Sequence, residues 1–315
     1  AIEAFEKEKN KLFIYPEDDS NSLREVLSNK FKIDSKRIIC GSGSDQIFDL
    51  TCRLFLNPDD EVIVTEFGFI MYKIYASLSR AKVVLAKEKN FKASVEEIIK
   101  KVSDKTKIVF IANPNNPTGT YLNRNEILDL LNRLPKNILL VLDGAYAEYV
   151  TKKDYDSSFS LADKYENLII TRTFSKAYGL AGLRLGWSYS SEKVASILNK
   201  VKVPFNTQSI SQEMAIIALD DKEYLNKVVK NNLEIKNWFE DELKKIQINT
   251  RPSEGNFSFV EMSEEKAKKI SSHLAEEGII VRQLDSYGLP NCLRITIGTR
   301  EEMEATIQSL KGLSQ

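Results

Sequence analysis

The sequence predicts an α/β protein, a mostly parallel sheet covered by helices on both faces and followed by a smaller α+β domain. Three observations predict it. Short β-branched apolar runs alternate with longer helical patterns along most of the chain. Several of those runs, KIVFIA and ILLVL among them, are apolar without interruption, as strands buried on both faces are. From Gln208 the texture changes to long amphipathic helices, with strand candidates only near the C-terminus.

Taken in order, RIIC (37–40), EVIVT (61–65), KVVLA (82–86), KIVFIA (107–112), ILLVLD (138–143), LIIT (168–171) and GWSY (186–189) are the strands of a seven-stranded sheet. Helical patterns fall between them at 45–56, 70–79, 95–102, 125–131 and 192–200. The run DDKEYLNKVVKNNLEIKNWFEDELKKI is one amphipathic helix. Strands at 257–261, 279–282 and 292–297, with a helix between the first two, complete the smaller unit. At 315 residues the chain has room for about two domains of roughly 150 residues each. The expected division is an N-terminal segment 1–29, a large domain 30–205 and a small domain 206–315, packed together without a flexible linker.

Composition narrows the chemistry. Lys and Arg total 45 and Asp and Glu total 45, so no bulk charge favours nucleic acid or an anionic membrane. The one histidine, His273, excludes two-histidine zinc motifs; it lies in SSHLAEEG, the pattern of a solvated helix. Cys40, Cys52 and Cys292 are odd in number and lack C-x-x-C spacing, which fits a reduced, cytoplasmic compartment. The start, AIEAFEKEKNKLF, has no apolar core of a signal peptide, and no apolar run is long enough to span a membrane. Its helical pattern already runs at Ala1, so the natural N-terminus is expected further upstream.

Ligands of open α/β sheets collect at the carboxyl ends of the strands, and four groups of polar residues fall there. The loop Gly41-Ser42-Gly43-Ser44-Asp45 precedes a helix, where backbone N–H groups favour an anion. It has neither G-x-G-x-x-G nor G-K-[ST], which disfavours a nicotinamide dehydrogenase or a nucleotide triphosphate. Asn113-Pro114-Asn115-Asn116-Pro117-Thr118-Gly119 makes a stiff turn that holds an Asn over the sheet edge. Asp143 ends ILLVL, with Tyr146 just beyond it. Thr173, Ser175 and Lys176 follow another strand, with Arg184 eight residues past the lysine; an amine among hydroxyls and a guanidinium suits Schiff-base chemistry beside an anion. Singly, each group also suits a capped turn, a helix cap or a solvated lysine. Their conjunction is far less common.

That conjunction, N-P-T-G, then D-x-A-Y, then S-K-x(7)-R, resembles the fold-type I pyridoxal-phosphate aminotransferases. The blocks IYPEDDS, TEFGFIMY, LDGAYAEY, TRTFSKAYGLAGLRLGW and EGIIVRQLDSYGLPNCLRITIGTREE are similar, more closely, to histidinol-phosphate aminotransferases, and the likeness covers essentially the whole chain. The resemblance implies pyridoxal 5'-phosphate held covalently by Lys176, which also shuttles the substrate proton. It implies that Asp143 pairs with the ring nitrogen, that Asn116 and Tyr146 bond the ring's 3-oxygen and that Phe67 stacks on the ring. Ser44, Asp45, Thr173, Ser175 and Arg184 would hold the phosphate. Tyr15 would reach the phosphate and substrate from the second subunit of a homodimer, and Arg282, Arg294 and Asn116 would bind substrate. The partners implied are a small amino donor and 2-oxoglutarate or glutamate. Relatives also carry an N-terminal N-x-N-E-N-P segment that helps to close the site, which this sequence lacks.

The implied reaction converts histidinol phosphate and 2-oxoglutarate to imidazole-acetol phosphate and glutamate in histidine biosynthesis. Alternatives of the same cofactor class are an aromatic amino-acid aminotransferase and a threonine-phosphate decarboxylase. From another class, the chain could be a binding module that keeps the cofactor fold without turnover.

Overall fold

The computed structural model describes residues 5–6 and 8–313, so the expected helical start at residues 1–4 lies outside it. Strands β1 (Ile38–Ser42), β2 (Glu61–Thr65), β3 (Lys82–Ala86), β4 (Thr106–Ala112), β5 (Leu139–Asp143), β6 (Leu168–Thr173) and β7 (Leu185–Tyr189) form a seven-stranded sheet. Their order is β1-β7-β6-β5-β4-β2-β3. Strands β2 to β6 pair in parallel, whereas β7 runs antiparallel to β6 and β1. The mostly parallel sheet that the apolar runs predicted is present.

Alternate residues of each strand serve opposite faces. On one face Val109, Ile111, Leu140 and Leu142 pack with Leu23 and Leu27 of α1 (Asn21–Phe31). Val95 and Ile98 of α4 (Val95–Lys100), Leu130 of α5 (Arg124–Arg133) and Leu219 of α7 (Ser209–Asp220) join them. On the other face Ile108, Phe110 and Val141 meet Phe48 of α2 (Gly43–Phe55) and Tyr72 of α3 (Ile70–Leu78). Leu198 of α6 (Glu192–Val201) closes that side. Burying a single Leu or Phe contributes about 1.5–3 kcal/mol, so these two layers supply most of the stabilisation of the sheet.

A second, antiparallel sheet contains β8 (Asn249–Arg251), β9 (Phe257–Glu261), β10 (Arg282–Leu284) and β11 (Leu289–Thr296), in the order β8-β9-β11-β10. Phe239 and Leu243 of α8 (Lys222–Lys245), Leu274 of α9 (Glu264–Glu276) and Ile307 of α10 (Arg300–Gly312) are buried against it. The single amphipathic helix expected in the run from Asp220 is α8. Strand β8 was not expected, because NTR is a polar edge with two of its three residues exposed. The strand expected at 279–282 begins only at Arg282. Gly278 adopts φ +79° after α9, and Ile279 N–H closes the helix end on Leu274 O, so pairing starts three residues later.

The sheet register assembles the strand ends. Ala112 stands opposite Asp143, and Asp143 opposite Thr171, in one row at the carboxyl edge. The expected loop 41–45 is absent: β1 runs through Ser42 and α2 starts at Gly43. This puts Ser44 and Asp45 in the first turn of α2. Gly186 permits that placement, since a Cβ there would lie 2.4 Å from Ser44 N.

Just beyond β3, the half-buried Glu88 turns its carboxyl under the chain leaving β2. Its Oε1 accepts the Phe67 N–H at 3.2 Å, and its Oε2 has no partner. Burial pushes its pKa from 4.5 up to about 7, against Thr65, the Phe67 N–H and Lys73, with Glu66 adding to the rise. A carboxyl whose folded pKa lies above its unfolded value adds stability below pH 4.5, and that stability is lost as pH rises through about 7. Glu88→Gln is therefore expected to melt like the parent near pH 5 and to be more stable at pH 8 by on the order of 2 kcal/mol. Urea titrations at the two pH values test this; a difference independent of pH contradicts it.

Candidate active site

A cleft of about 110 Å³ opens at the carboxyl edge of the large sheet. It is lined by Ser44, Asp45, Asn116, Asp143, Tyr146, Thr173, Ser175, Lys176 and Arg184, nine of the residues singled out from sequence. They come from α2, the turn after β4, the ends of β5 and β6, and the loop between β6 and β7.

Asp143, the last residue of β5, is buried. Its Oδ2 accepts Tyr72 Oη–H at 2.7 Å, and its Oδ1 accepts Thr171 Oγ1–H at 3.2 Å and Ala145 N–H at 3.1 Å. Burial holds its pKa above the usual carboxylate range, while those three donors pull it back down. A cation meeting this carboxylate from the cleft would find an acceptor already oriented. The half-buried Lys176 carries its Nζ 5.3 Å from the centre of the Tyr146 ring. No protein acceptor among the described residues takes the hydrogen bonds of this amine.

The other end of the cleft gathers donors that suit an anion. Helix α2 presents its first turn without a side-chain cap; only Ser42 N–H is taken, by Gln46 Oε1 at 2.8 Å. Arg184 reaches Ser175 Oγ at 3.2 Å and Asp45 Oδ2 at 3.3 Å. The Asp45 carboxylate thus faces the guanidinium and leaves the helix amides free. Arg184 adopts φ +50°, a left-handed conformation that costs an ordinary side chain about 1–2 kcal/mol. The residue that aims its guanidinium at this end of the cleft is thus held in a strained conformation.

The second sheet meets the cleft at its rim. Arg294 of β11 donates to Asn116 Oδ1. This contact fixes the amide so that its N–H₂ group is left for another acceptor. Arg294 also lies 5.3 Å over the Phe257 ring, which packs edge-on against Tyr146 at 5.3 Å. The Arg294 Nε is buried without a partner. Arg282 stands directly opposite Arg294 in the β10–β11 pair and is exposed, so two guanidiniums share one rim. The N-P-T-G turn is strapped to the same side: Glu254 N–H donates to Gly119 O at 2.8 Å, and a Cβ on Gly119 (φ +76°) would strike Ser253.

Two expected residues fall elsewhere. Phe67 does not line the cleft. Its N–H is held by Glu88, and its ring packs on Phe91 at 5.9 Å in the cluster around Phe259 and Leu284. The aromatic residue that lines the cleft is Phe69, at the head of α3. Phe69 sits edge-on to Tyr72 at 5.5 Å, and the two are three residues apart on one side of the first helical turn. That F-x-x-Y spacing was the signal separating Phe69 from Phe67. Tyr15 is also outside the chain's own cleft, 77% exposed, with its ring 4.6 Å from Phe205. Tyr72 and Thr171, the partners of Asp143, were not singled out from sequence.

Comparison with known proteins agrees with this geometry. The family model "Aminotransferase class I and II" matches residues 1–310. The histidinol-phosphate aminotransferase of Pelagibacter ubique is 48% identical over 95% of this chain and 84% of its own length. That of Rhodopseudomonas palustris strain BisB18 is 40% identical over 98% of this chain and 86% of its own. The crystal structure of the Sinorhizobium meliloti histidinol-phosphate aminotransferase, in complex with pyridoxal-5'-phosphate, superposes with a TM-score of 0.95 at 26% identity. It covers 99% of this chain and 86% of that one. A lysine amine without a hydrogen-bond acceptor among the described residues, a buried carboxylate and an uncapped helix start beside an arginine thus occur in a chain that belongs to the class I and II aminotransferases, and within them to the histidinol-phosphate aminotransferase family.

Proposed function

We propose that the protein is a pyridoxal-phosphate-dependent aminotransferase that moves the amino group of histidinol phosphate to 2-oxoglutarate, giving imidazole-acetol phosphate and glutamate in histidine biosynthesis. One observation carries this reading: two separate groups of anion-binding donors, α2 with Arg184 and the Arg282–Arg294 rim, flank a lysine amine that has no hydrogen-bond acceptor among the described residues.

The residues present fit pyridoxal phosphate. The uncapped first turn of α2, Thr173, Ser175 and Arg184 suit its phosphate, and the oriented Asp143 suits a protonated pyridine nitrogen. Asn116 N–H₂ and Tyr146 Oη are the donors for the ring's 3-oxygen, with Phe69 as the covering aromatic. When bound, the cofactor supplies an electron-accepting ring. Lys176 tethers it and moves the proton released from the substrate's Cα. Asp143 keeps the ring nitrogen protonated, and the small sheet shields the cleft through Phe257 and Arg294.

Arg294 and Arg282 hold the substrate's anionic end. Histidinol phosphate has no α-carboxylate, so its phosphate takes the seat that the carboxylate of glutamate takes in the other half-reaction. Two fork-shaped guanidiniums suit both anions better than a compact ammonium does. Arg294→Lys is therefore expected to weaken both half-reactions by about 1.5–3 kcal/mol, through one lost charge-assisted bond and the lost hold on Asn116. Half-reaction titrations with histidinol phosphate and with glutamate test this. A loss confined to one substrate would argue against a shared seat.

The protein acts as a cytoplasmic homodimer. Leu12, Phe13 and Tyr15, together with Val203 and Phe205, expose an apolar surface, and patches of this kind mark interfaces. A second copy seated there brings Tyr15 towards its partner's cleft, between the large part (30–205) and the small part (206–315). The direct test of the function is glutamate formation from histidinol phosphate and 2-oxoglutarate. It should depend on added pyridoxal phosphate, and no turnover with fully loaded protein would contradict the reading.

A further inference from the structure

We infer that Tyr72 is a positioning residue that joins the carboxylate meeting the cofactor's ring nitrogen and the aromatic covering the cofactor's face into one rigid unit. The inference rests on the pyridoxal-phosphate reading and goes beyond it, to a residue that does not itself line the cleft.

Tyr72, the third residue of α3, is fully buried against the large sheet. Its ring lies flat on Phe110 of β4, with centroids 4.8 Å apart and planes at 8°. Phe48 of α2 meets the same ring edge-on at 5.2 Å and 87°, and Phe69 at 5.5 Å and 84°. Three aromatic contacts from three elements leave the ring a single orientation. The hydroxyl so aimed donates to Asp143 Oδ2 at 2.7 Å, across 71 residues of sequence. Burial and the neighbouring Asp143 charge push the phenol well above its usual range, so it stays a donor.

The division of labour on Asp143 follows. Oδ1 is filled by Thr171 and Ala145, and Tyr72 takes one lone pair of Oδ2. Acceptor capacity remains on Oδ2 for a group in the cleft. Tyr72 therefore holds the carboxylate rotamer through its hydroxyl and steadies Phe69 through its ring edge. The two functions belong to separate atoms and are separable by substitution.

Tyr72→Phe keeps the stack and removes only the hydroxyl. The test compares two ligands on the full chain freed of cofactor: pyridoxal phosphate and its analogue with carbon in place of the ring nitrogen. Tyr72→Phe should bind pyridoxal phosphate about tenfold more weakly than the parent, the loss of one hydrogen bond to a charged group. Its affinity for the carbon analogue should match the parent's, because that ligand has no nitrogen for Asp143 to meet. Phe69→Leu should weaken both ligands alike. Equal losses for both ligands in Tyr72→Phe, or no loss for either, would overturn the inference. Failure of the parent to bind pyridoxal phosphate would overturn the functional reading and the inference with it. Apoprotein melting temperatures separate these outcomes from unfolding.

Discussion

Lys176→Ala is expected to abolish transamination, lowering turnover by at least about 10⁴-fold. The lysine is half-buried, and its amine lies over the face of Tyr146 without a hydrogen-bond acceptor among the described residues, so its removal costs the fold little. The expected combination is a normal melting curve with no turnover. Borohydride, which fixes the cofactor on the parent, should leave none attached to the variant. Nothing else in the cleft offers an amine: the other cation there, Arg184, is a guanidinium committed to Ser175 and Asp45. A borohydride-fixed cofactor on Lys176→Ala would defeat the assignment.

Asp143→Asn carries the next largest effect. The amide has the same shape and still accepts from Thr171 and Ala145, so the local geometry survives. What disappears is the negative charge that keeps a pyridine nitrogen protonated, and single-turnover rates should fall by at least about a hundredfold. Stability should move the other way. Burial raises the folded pKa of Asp143 above its unfolded value, so the stability it contributes is present at low pH and lost as pH rises. The neutral variant escapes that loss, and its apoprotein should melt no lower than the parent at pH 8. Near-normal single-turnover rates in Asp143→Asn would rule out the electrostatic role.

The large sheet was legible because strands buried on both faces carry unbroken apolar runs such as IVFIA and LLVL. Strand β8 was not, because NTR pairs through its backbone and carries no apolar side chain. Nine residues of the cleft could be named in advance because a parallel sheet sends its strand ends to one edge. The helix start at residue 70 was legible; the choice between Phe67 and Phe69 turned on the short turn before it, which decides which of the two rings faces the cleft. Tyr72 was out of reach for another reason: its partner Asp143 becomes a neighbour only once β2, β4 and β5 lie side by side. Tyr15 belongs to a third class. Its motif was readable, but the cleft it is proposed to serve is that of a second copy.

The central claim, that the Arg282–Arg294 rim selects a phosphorylated amino alcohol, is tested most directly by stopped-flow spectroscopy of the amino-donor half-reaction. The cofactor-loaded protein is mixed in turn with histidinol phosphate, tyrosine and phenylalanine, and conversion of the cofactor to its amine form is followed. The predicted result is a larger kcat/KM for histidinol phosphate than for either aromatic amino acid. A faster reaction with tyrosine or phenylalanine would contradict it and assign the cleft to aromatic amino acids, with Lys176 and Asp143 keeping their roles.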